Sequence, residues 1–332
     1  MIKILNAEPL NYSEQAHQIL QGIGDVTSIQ LDQAGLLSRI GEFDVLIIRL
    51  AHKIDRSILD AGTHLQAIVT ATTGVDHIDV EYAEKKQIEI LSLRGEFDFL
   101  RTIPATAEHT WALLLSLIRN IPQALASTIS GHWDRDQFKG HDLAGRRLGI
   151  VGLGRIGGKI AKYGLAFGMQ VFAFDPYRLD WIDQVERCNT LDNLLSVSDV
   201  LSLHVPLNEI TYHMISYREL RLLPKHAILV NTARGSVLDG EALVQCLSEG
   251  YLSGAALDVI EGELDKTQLS TNPLLAYART KSNLLITPHI GGATFESMAA
   301  TEIFMAKKLR AWAQESKSAV KDTGIDFTQG VT

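Results

Sequence analysis

Short apolar runs recur along the chain and alternate with segments in which apolar residues follow the spacing of a helix. In the first part of the chain, the runs at 2–5, 26–31, 45–49, 67–70 and 88–93 are typical of buried strands. Between them, residues 13–21 and 81–86 have helix-like apolar spacing. Strands that alternate with helices predict an α/β fold, in which a parallel sheet carries helices on both faces.

The same alternation continues in the second part of the chain. Predicted strands lie at 148–151, 170–174, 200–205, 227–231, 255–259 and 284–287, and predicted helices lie at 159–167 and 241–248. A further helix has Thr106 as its N-cap, is apolar nearly all round and ends at Pro122, so we expect it to be buried. The final helix, from 294 to about 315, has an apolar face, and the polar segment 317–332 is predicted to fray. That face is formed by Phe295, Met298, Ile303, Leu309 and Trp312.

A glycine-rich turn joins the strand at 148–151 to the helix that follows it. Gly152, Gly154 and Gly157 form the pattern G-x-G-x-x-G, in which the glycines permit a tight turn, close approach of a pyrophosphate and close helix packing. The free amides at the helix start favour the negative charge of the pyrophosphate. Asp175 ends the next strand, where it can accept hydrogen bonds from ribose hydroxyls and would repel a 2′-phosphate. The pattern therefore predicts NAD rather than NADP.

Composition restricts the class of protein. The chain has 332 residues with 46% hydrophobic content, which is enough for two domains. A net charge of −8 without a long basic run gives no support for nucleic-acid binding. Two cysteines allow neither a disulfide framework nor a cysteine zinc site, and we predict no metal. No apolar run is long enough to span a membrane, and the N-terminus starts as a strand without a signal-peptide pattern, so we expect a cytoplasmic protein.

Three residues placed after predicted strands form a candidate catalytic set. Arg234 follows the strand at 227–231, Glu263 follows 255–259 and His289 follows 284–287. Carboxyl ends of parallel strands meet at one edge of a sheet, so these side chains could share a cleft beside the cofactor. Arginine can grip a carboxylate, histidine can transfer a proton, and a carboxylate can orient the imidazole. Taken singly, each residue could also be an ordinary surface charge or turn residue; their joint placement favours hydride transfer to a 2-oxo acid.

Residues 72–77, Thr-Thr-Gly-Val-Asp-His, follow the strand at 67–70. A loop in this position could hold a small anion with its backbone amides. A plain turn that leads into a helix explains these residues equally well.

Together these motifs resemble the D-isomer-specific 2-hydroxyacid dehydrogenases, the family of D-3-phosphoglycerate, hydroxypyruvate/glyoxylate and D-lactate dehydrogenases. The resemblance runs almost end to end. It is carried by Gly74-Val75-Asp76, Ala107-Glu108-His109, 148–175, Ser198-Asp199-Val200, His204-Val205-Pro206-Leu207, 231–239, 254–259 and 287–294.

The resemblance implies a role for each matching residue. Arg234 would bind the substrate carboxylate, and Glu263 with His289 would form the proton relay. Amides of the loop that contains Thr72, Gly74 and Val75 would also bind the substrate, while Asp258 and His204 would lie near the nicotinamide. The implied cofactor-binding residues are Thr73, Gly152, Gly154, Arg155, Ile156, Gly157, Asp175, His204, Val205, Pro206, Thr232, Asp258 and Gly291.

The resemblance also implies an architecture. It predicts two Rossmann-like or flavodoxin-like α/β domains with parallel sheets, the cofactor domain being inserted into the substrate domain. We place the substrate domain at 1–103 with 293–332 and the NAD-binding domain at 104–292. Family members are commonly homodimers through the cofactor domain, and the segment around Trp133 either packs locally or joins such a contact. The chain ends soon after the last helix, so we expect no C-terminal regulatory domain.

The chain departs from the family pattern at two points. The usual proline after the relay glutamate is Leu264, and Gly262 precedes Glu263, which leaves Glu261 as an alternative relay carboxylate. The segment between Gly95 and Glu108 is longer than usual, and it either shapes the substrate pocket or is a surface insertion.

The expected function is therefore that of an NAD-dependent enzyme that interconverts a small D-2-hydroxy acid and its 2-oxo acid. One alternative is an NAD(H)-sensing regulator, since transcriptional corepressors resemble the same fold. Another is a formate- or phosphite-type dehydrogenase, although formate dehydrogenases of this family pair the histidine with Gln rather than with a residue such as Glu263. Four cations are either anchors for a substrate phosphate or ordinary surface charges: Arg49, Lys53, Arg94 and Arg101.

Overall fold

The computed structural model describes residues 1–322 and divides into two compact units. Unit 1 comprises Met1–Phe97 and the chain from Thr294 onward, and unit 2 comprises Asp98–Ala293. Unit 2 is thus inserted into unit 1. The division falls after residue 97, whereas the sequence-based boundary stood after 103, and the second division falls after 293 rather than after 292.

Unit 1 is built on a parallel sheet of five strands in the order β2-β1-β3-β4-β5. The strands are β1 (Ile2–Asn6), β2 (Gly24–Ser28), β3 (Val45–Ile48), β4 (Ala67–Thr70) and β5 (Glu89–Leu91). The helices between them are α1 (Glu14–Gln21), α2 (Gln33–Arg39), α3 (Arg56–Ala61) and α4 (Val80–Lys85). Each of these helices begins at a side chain that accepts hydrogen bonds from first-turn amides, which satisfies donors that the helix itself cannot pair. These N-caps are Ser13, Asp32, Asp55 and Asp79.

The predicted strand at 26–31 is wrong in its limits, because β2 covers Gly24–Ser28. β2 lies at the edge of the sheet and pairs only with β1, so most of its residues stay half-exposed. Its position is set by backbone pairing with β1 rather than by burial of an apolar run. Central strands β3 and β4, which are buried at every position, lie where the apolar runs predicted them.

Unit 2 is built on a parallel sheet of seven strands in the order β12-β11-β10-β9-β6-β7-β8. Its strands are β6 (Arg147–Val151), β7 (Gln170–Phe174), β8 (Val185–Arg187), β9 (Val200–Leu203), β10 (Ile228–Asn231), β11 (Gly254–Leu257) and β12 (Leu284–Ile286). Its first helices are α5 (Phe97–Arg101), of which the first residue belongs to unit 1, then α6 (Ala105–Ile118), α7 (Ile121–Ile129), α8 (Arg155–Ala166) and α9 (Leu191–Val197). The others are α10 (Tyr217–Leu222), α11 (Gly240–Ser248), α12 (Lys266–Thr271) and α13 (Pro273–Ala278).

The strand order of unit 2 reverses between β6 and β9. From β6 the chain builds outward to β7 and β8, then returns to add β9, β10, β11 and β12 on the other side of β6. Helices that leave the sheet in opposite directions at such a point open a crevice at the carboxyl ends of the strands, where ligands bind in open α/β sheets. The topology therefore places the candidate cofactor site at the end of β6.

Helix α6 is buried in unit 2, as its sequence predicts. Trp111, Leu113 and Leu114 pack in one core with Leu148 and Ile150 of β6. The prediction of Thr106 as N-cap is wrong, because the helix begins at Ala105, after Pro104, and no side chain caps it. Thr106 lies inside the first turn, where its carbonyl accepts the hydroxyl of Thr110 at 2.7 Å.

The sequence predicted that Pro122 would end helix α6, but the helix ends earlier, at Ile118. Pro122 instead lies in the first turn of α7, a position where a missing amide hydrogen is harmless. Among the described residues, no single helix is both long and apolar enough to cross a membrane. The bent pair formed by Phe97–Ile118 and Ile121–Ile129, at 65°, passes that test only by length and composition.

The last helix, α14 (Phe295–Asp322), belongs to unit 1 and packs against α1. Its buried face includes Met305, Leu309 and Ala313. The prediction for Phe295 is wrong, since this side chain is 84% exposed at the start of the helix. Part of the segment predicted to fray is helical, as α14 continues to Asp322, and 323–332 lie outside the described residues.

A buried carboxylate attaches α14 to the rest of unit 1. Glu302 is 2% exposed, and its oxygens lie 2.5 Å from the Arg49 guanidinium and 2.7 Å from the amide of Ser13. Arg49 also donates to the carbonyl of Leu10 and lies over the ring of Tyr12. This cation, one of the candidate phosphate anchors, is therefore engaged in holding unit 1 together.

Candidate active site

The glycine-rich turn after β6 has the geometry that its sequence predicts. Gly152 has φ of +88°, and a Cβ there would lie 2.5 Å from the carbonyl oxygen of His204. A Cβ on Gly157 would lie 2.0 Å from the carbonyl oxygen of Gly152, so only glycine lets α8 pack this close to the turn. A Cβ on Gly154 would meet no atom within 4 Å, so the middle of the turn faces open space.

The start of α8 suits an anion. Gly154 is its N-cap and provides no side-chain hydrogen bond, so the amides of the first turn, which includes Arg155 and Ile156, have no side-chain cap. Helix N-termini with free amides attract phosphate groups through their amides and the helix dipole. An open approach at Gly154 next to uncapped amides therefore fits the pyrophosphate of a dinucleotide.

Asp175 follows β7 and faces the glycine turn. Its Oδ2 accepts the amide of Leu153 at 2.9 Å, and its Oδ1 accepts the amide of Tyr177 at 3.0 Å. These two bonds hold the carboxylate at the end of β7, where lone pairs remain for ribose hydroxyls. Sequence reasoning missed Arg178, whose guanidinium donates to the carbonyl of Leu153 in the same turn.

His204 lies directly after β9, behind the glycine turn. Its amide donates to the carbonyl of Val151 at 2.8 Å, and its Nε2 lies 2.7 Å from the hydroxyl of Ser202. Burial lowers the pKa of His204 to about 3, so the ring is neutral at ordinary pH. Its buried Nδ1 has no hydrogen-bond partner among the described residues, which leaves one polar atom that a bound ligand can satisfy.

Two further predicted cofactor residues, Val205 and Thr232, also follow strands of unit 2. Val205 reaches the glycine turn, since its Cγ1 would lie 2.9 Å from a Cβ on Gly152. Thr232 follows β10 and exchanges a 2.8 Å hydrogen bond with Thr110. The carbonyl of Pro206 accepts the hydroxyl of Thr211 at 2.6 Å, which folds the loop after β9 on itself.

Arg234 lies in a turn that Asn231 holds together. The side chain of Asn231 donates to the carbonyl of Arg234 at 2.9 Å and accepts the amide of Ala233 at 3.0 Å. One guanidinium nitrogen of Arg234 donates to the carbonyl of Ala233 at 2.8 Å. A Cβ on the next residue, Gly235, would lie 2.3 Å from the amide nitrogen of Glu261, so the Arg234 turn packs directly on the segment that leads to Glu263.

Glu263 and His289 form the pair that the sequence predicts. Glu263 Oε1 lies 2.5 Å from His289 Nδ1, and Glu263 Oε2 accepts the amide of Ile260 at 3.2 Å. Because a carboxylate can only accept, His289 Nδ1 donates to it and Nε2 is the nitrogen that can exchange a proton. The alternative relay residue, Glu261, pairs with His213 instead, at 2.9 Å.

A buried aspartate shapes the backbone at His289. Asp258 is 1% exposed, and its carboxylate accepts the amides of Ile290 at 2.9 Å and Gly291 at 2.7 Å. The carbonyl of Asp258 accepts the amide of His289 at 2.8 Å, and His289 adopts φ of +55°. These bonds fix the direction in which the His289 side chain leaves the backbone.

The Asp258 carboxylate also accepts the hydroxyl of Thr287 at 2.6 Å and lies 3.1 Å from His109 Nε2. Burial alone would raise the pKa of Asp258, but these side-chain bonds and the two amides outweigh it, and the pKa is lowered. Sequence reasoning assigned Asp258 to the cofactor and gave no role to His109. The available signals were the segment Ala107-Glu108-His109, which matches the family pattern, and the position of this imidazole on a largely buried helix.

The loop at 72–75 lies in unit 1, directly after β4. The Thr72 hydroxyl donates to the carbonyl of Gly74 at 2.7 Å and lies 2.9 Å from the hydroxyl of Thr70. These bonds close the loop that also contains Thr73 and Val75. A role for the loop in substrate or cofactor binding stays a prediction.

The other candidate phosphate anchors are surface residues. Lys53 and Arg94 are exposed, and Arg101 forms an exposed ion pair with Asp98 at 3.4 Å. Exposed pairs of this kind contribute little to stability or to binding. The structure therefore gives no sign of a built phosphate site around these cations.

Comparison with known proteins identifies the family. The family model described as "D-isomer specific 2-hydroxyacid dehydrogenase, NAD binding domain" matches residues 111–291. The chain belongs to the D-isomer-specific 2-hydroxyacid dehydrogenase family. The matched region lies inside unit 2 and contains the glycine turn, so unit 2 carries an NAD-binding domain of this family.

Similar proteins within this family are enzymes with different substrates. The chain is 39% identical to a D-3-phosphoglycerate dehydrogenase of Methanocaldococcus jannaschii over 314 residues, which is 93% of this chain and 57% of that protein. It is 37% identical to a hydroxypyruvate reductase of Thermotoga maritima over 285 residues, which is 86% of this chain and 90% of that protein. The chain thus spans little more than half the length of the first of these relatives.

A solved structure of the same family matches both units. The D-lactate dehydrogenase of Aquifex aeolicus, solved with NAD and lactic acid, has a TM-score of 0.81 and 28% identity, and the match covers 99% of this chain and 100% of that chain. The fold predicted from the sequence, two α/β domains with parallel sheets, is confirmed. NAD is likewise confirmed as the cofactor of the family to which this domain belongs.

The glycine turn generates a test of cofactor binding. In Gly157→Ala the new Cβ would lie 2.0 Å from the backbone oxygen of Gly152, so α8 must move away from the turn. We expect NADH affinity to fall by about tenfold or more, which corresponds to roughly 1.4 kcal/mol of binding free energy. NADH fluorescence titration measures the change.

The neighbouring glycine provides the matched control. A Cβ on Gly158 would meet only side-chain atoms, the nearest being Ile182 Cδ1 at 3.3 Å. Gly158→Ala should therefore bind NADH much as the unaltered chain does. Equal affinities in the two variants would show that close packing at Gly157 does not shape the dinucleotide site.

Proposed function

We propose that the chain is an NAD-dependent dehydrogenase that interconverts a small D-2-hydroxy acid and its 2-oxo acid. The observation that carries this proposal is the 2.5 Å contact between Glu263 and His289, beside the turn that bears Arg234. All three residues follow adjacent parallel strands of one sheet, β11, β12 and β10. An arginine, an imidazole and a carboxylate at one sheet edge supply the groups that reduction of a 2-oxo acid requires from the protein.

The side chains divide the reaction between them. The Arg234 guanidinium offers a planar fork of donors to the substrate carboxylate and polarises the neighbouring carbonyl. His289 Nε2 gives a proton to the carbonyl oxygen during reduction and takes it back during oxidation. Glu263 accepts from Nδ1, which orients the ring and leaves Nε2 to face the substrate. NAD, when bound, supplies or accepts the hydride.

The proposal assigns the cofactor to the glycine turn and Asp175. The pyrophosphate would take the uncapped amides at the start of α8, and the Asp175 carboxylate would accept ribose hydroxyls. A negative charge at Asp175 disfavours a 2′-phosphate, which supports NAD over NADP. Unit 1 is left with the role of substrate domain, and Thr72, Gly74 and Val75 are its proposed substrate contacts.

Turnover assays with a panel of acids test this function directly. NADH oxidation should be measured with hydroxypyruvate, glyoxylate, pyruvate and 3-phosphohydroxypyruvate, and then repeated with NADPH. We expect NADH-dependent reduction of at least one of these acids, with weaker use of NADPH. NADH binding without turnover of any of them would favour a dinucleotide-sensing regulator instead.

Replacement of His289 tests the proton donor. Since general acid–base catalysis contributes roughly 10²- to 10⁴-fold to a rate, His289→Ala should lower kcat by about that factor. NADH affinity should stay within about twofold, because the side chain holds no cofactor phosphate in this proposal. The exposed histidine His141 of the same unit gives the matched control, His141→Ala, which should keep full activity. Retained turnover in His289→Ala would show that the proton donor lies elsewhere.

We also propose a homodimer formed through unit 2. Helix α7 has no buried residue, and Ile121, Leu125 and Ile129 are spaced four apart, so they share one helix face. These side chains are 43%, 58% and 86% exposed, and the nearby Trp133 is 90% exposed. Local packing of Trp133 is therefore wrong for this chain, and an apolar surface of this kind is typical of an interface. A second copy fits because family members commonly pair through this domain.

Charge on the α7 face tests the dimer. Leu125→Asp with Ile129→Asp would bury two carboxylates in the interface without partners, so we expect a monomer. Light scattering after gel filtration gives the mass, which should be twice the chain mass for the unaltered protein. Ile210→Asp, at a side chain that is 75% exposed elsewhere in unit 2, should remain dimeric. A monomeric unaltered chain would refute this arrangement.

We propose a cytoplasmic location as well. The two cysteines of the chain, Cys188 and Cys246, are both free thiols, and Cys246 is buried. Unpaired cysteines are the usual state in a reducing compartment.

A further inference from the structure

A second imidazole–carboxylate pair lies beside the Glu263 segment. His213 Nε2 is 2.9 Å from Glu261 Oε2, and the Tyr212 hydroxyl donates to Glu261 Oε1 at 3.3 Å. The Tyr212 ring stacks on the His213 imidazole, with centroids 4.1 Å apart and planes at 12°. The charge of Glu261 raises the pKa of Tyr212, as expected for an ionised carboxylate this near. Both carboxylate oxygens of Glu261 are therefore engaged by this stacked aromatic pair.

The backbone of His213 is attached to the segment that follows Arg234. Its amide donates to the carbonyl of Ser236 at 2.8 Å, and two residues later the amide of Ile215 donates to Val237 at 3.2 Å. His213 adopts φ of +46°, a left-handed conformation that is uncommon for residues other than glycine, although histidine, asparagine and aspartate adopt it more often than most. The turn that aims the imidazole at Glu261 is thus held by its bonds to the Arg234 segment.

Glu261 is held on its other side as well. Its carbonyl accepts the side chain of Asn272 at 3.2 Å, and its amide lies against Gly235, where a Cβ would be only 2.3 Å away. The next residue, Gly262, has φ of +73°, and a Cβ there would lie 2.3 Å from Gln268 Oε1. Glu263 follows immediately, so the direction of its side chain depends on how firmly Glu261 is placed.

We propose that Glu261 and His213 are positioning residues that hold the Glu263 segment against the Arg234 segment. The proposal rests on the proposed function and refines it, since the two glutamates then have separate tasks. Glu263 touches the proton-transferring imidazole, and Glu261 fixes the turn from which Glu263 projects. Side-chain bonds to Glu261 add to the backbone contacts of this segment, which matters because residues 261–263 are only half-buried.

Kinetics of Glu261 variants test the role. Glu261→Ala should lower kcat about tenfold, because misplacing a catalytic group by about 1 Å costs up to roughly 10²-fold in rate. NADH affinity should not change. Glu261→Gln keeps one acceptor oxygen for His213 and gains an amide that can donate to the Tyr212 hydroxyl oxygen, so it should recover kcat to within about threefold. A purely structural role would instead lower the melting temperature and leave kcat per folded molecule unaltered.

A double-mutant cycle tests whether Glu261 and His213 affect kcat through their mutual bond or independently of each other. His213→Asn keeps a residue that tolerates positive φ but removes the reach to Glu261. If the two side chains act through one bond, the double variant Glu261→Ala with His213→Asn should be no slower than the slower single variant. Losses that multiply in the double variant would overturn the proposal.

Glu249 provides the matched control. It is also a half-exposed glutamate of unit 2, and it accepts from the Tyr217 hydroxyl at 3.4 Å and from Arg221 at 3.2 Å. It lies on the turn after α11, outside the segments described above. Glu249→Ala should keep kcat and KM unchanged. A fall in kcat that occurs only in Glu261→Ala would then result from the place of Glu261 in the structure and not from the loss of a surface charge.

Hydrogen exchange gives a readout that does not require activity. The amide of Ile260 donates to Glu263 Oε2, so its exchange rate reports whether Glu263 stays in place. We expect faster exchange in the peptide that contains Ile260 in Glu261→Ala, and no change there in Glu249→Ala. Unchanged exchange at Ile260 would overturn this proposal, even if the chain reduces 2-oxo acids. Faster exchange in a chain without turnover would overturn the proposed function alone.

Discussion

Parallel pairing within one sheet is the constraint on which the candidate site depends. β10, β11 and β12 are neighbours that run in the same direction, so the segments after them leave the sheet at the same edge. Residues separated by long stretches of sequence are thereby brought to one place, and the same edge carries the glycine turn after β6. The backbone groups of the strands pair with one another inside the sheet. The loops that follow the strands can therefore present polar side chains to a ligand.

Those segments are held by buried or half-buried polar groups. The Asp258 carboxylate accepts hydrogen bonds from two backbone amides and one hydroxyl and lies close to one imidazole. The two amides directly follow His289, so these bonds fix the backbone turn there. Gly235 packs on the amide of Glu261, and this contact joins the Arg234 turn to the segment of Glu263. A buried carboxylate is costly unless its lone pairs are used, and here each bond that satisfies Asp258 also restrains the loop that donates it. Stability and alignment of the site therefore arise from the same contacts.

Prediction from the sequence succeeded where burial decides the structure. The strand at 170–174 and the buried helix around Trp111 follow directly from apolar patterning, and the glycine turn follows from steric limits that only glycine meets. Prediction failed where contacts with other parts of the chain decide the limits of an element or the burial of a side chain. Edge strand β2 is set by pairing with β1, the helix start at Ala105 has no side-chain cap to reveal it, and Phe295 is exposed because it precedes the buried part of α14.

By itself, the sequence determined the two-unit α/β fold and the dinucleotide turn with its acid, because apolar periodicity and the steric limits of glycine are visible residue by residue. It also indicated Arg234 and His289 as candidates through their positions after predicted strands. The tertiary structure decided which glutamate meets His289. Glu261 and Glu263 lie two positions apart and are chemically identical, so only the packing of Gly235, Gly262 and His213 around them directs one to each imidazole. The tertiary structure likewise decided that Arg49 forms an ion pair with Glu302. The two residues are remote in sequence, so no local sequence pattern indicates this pair.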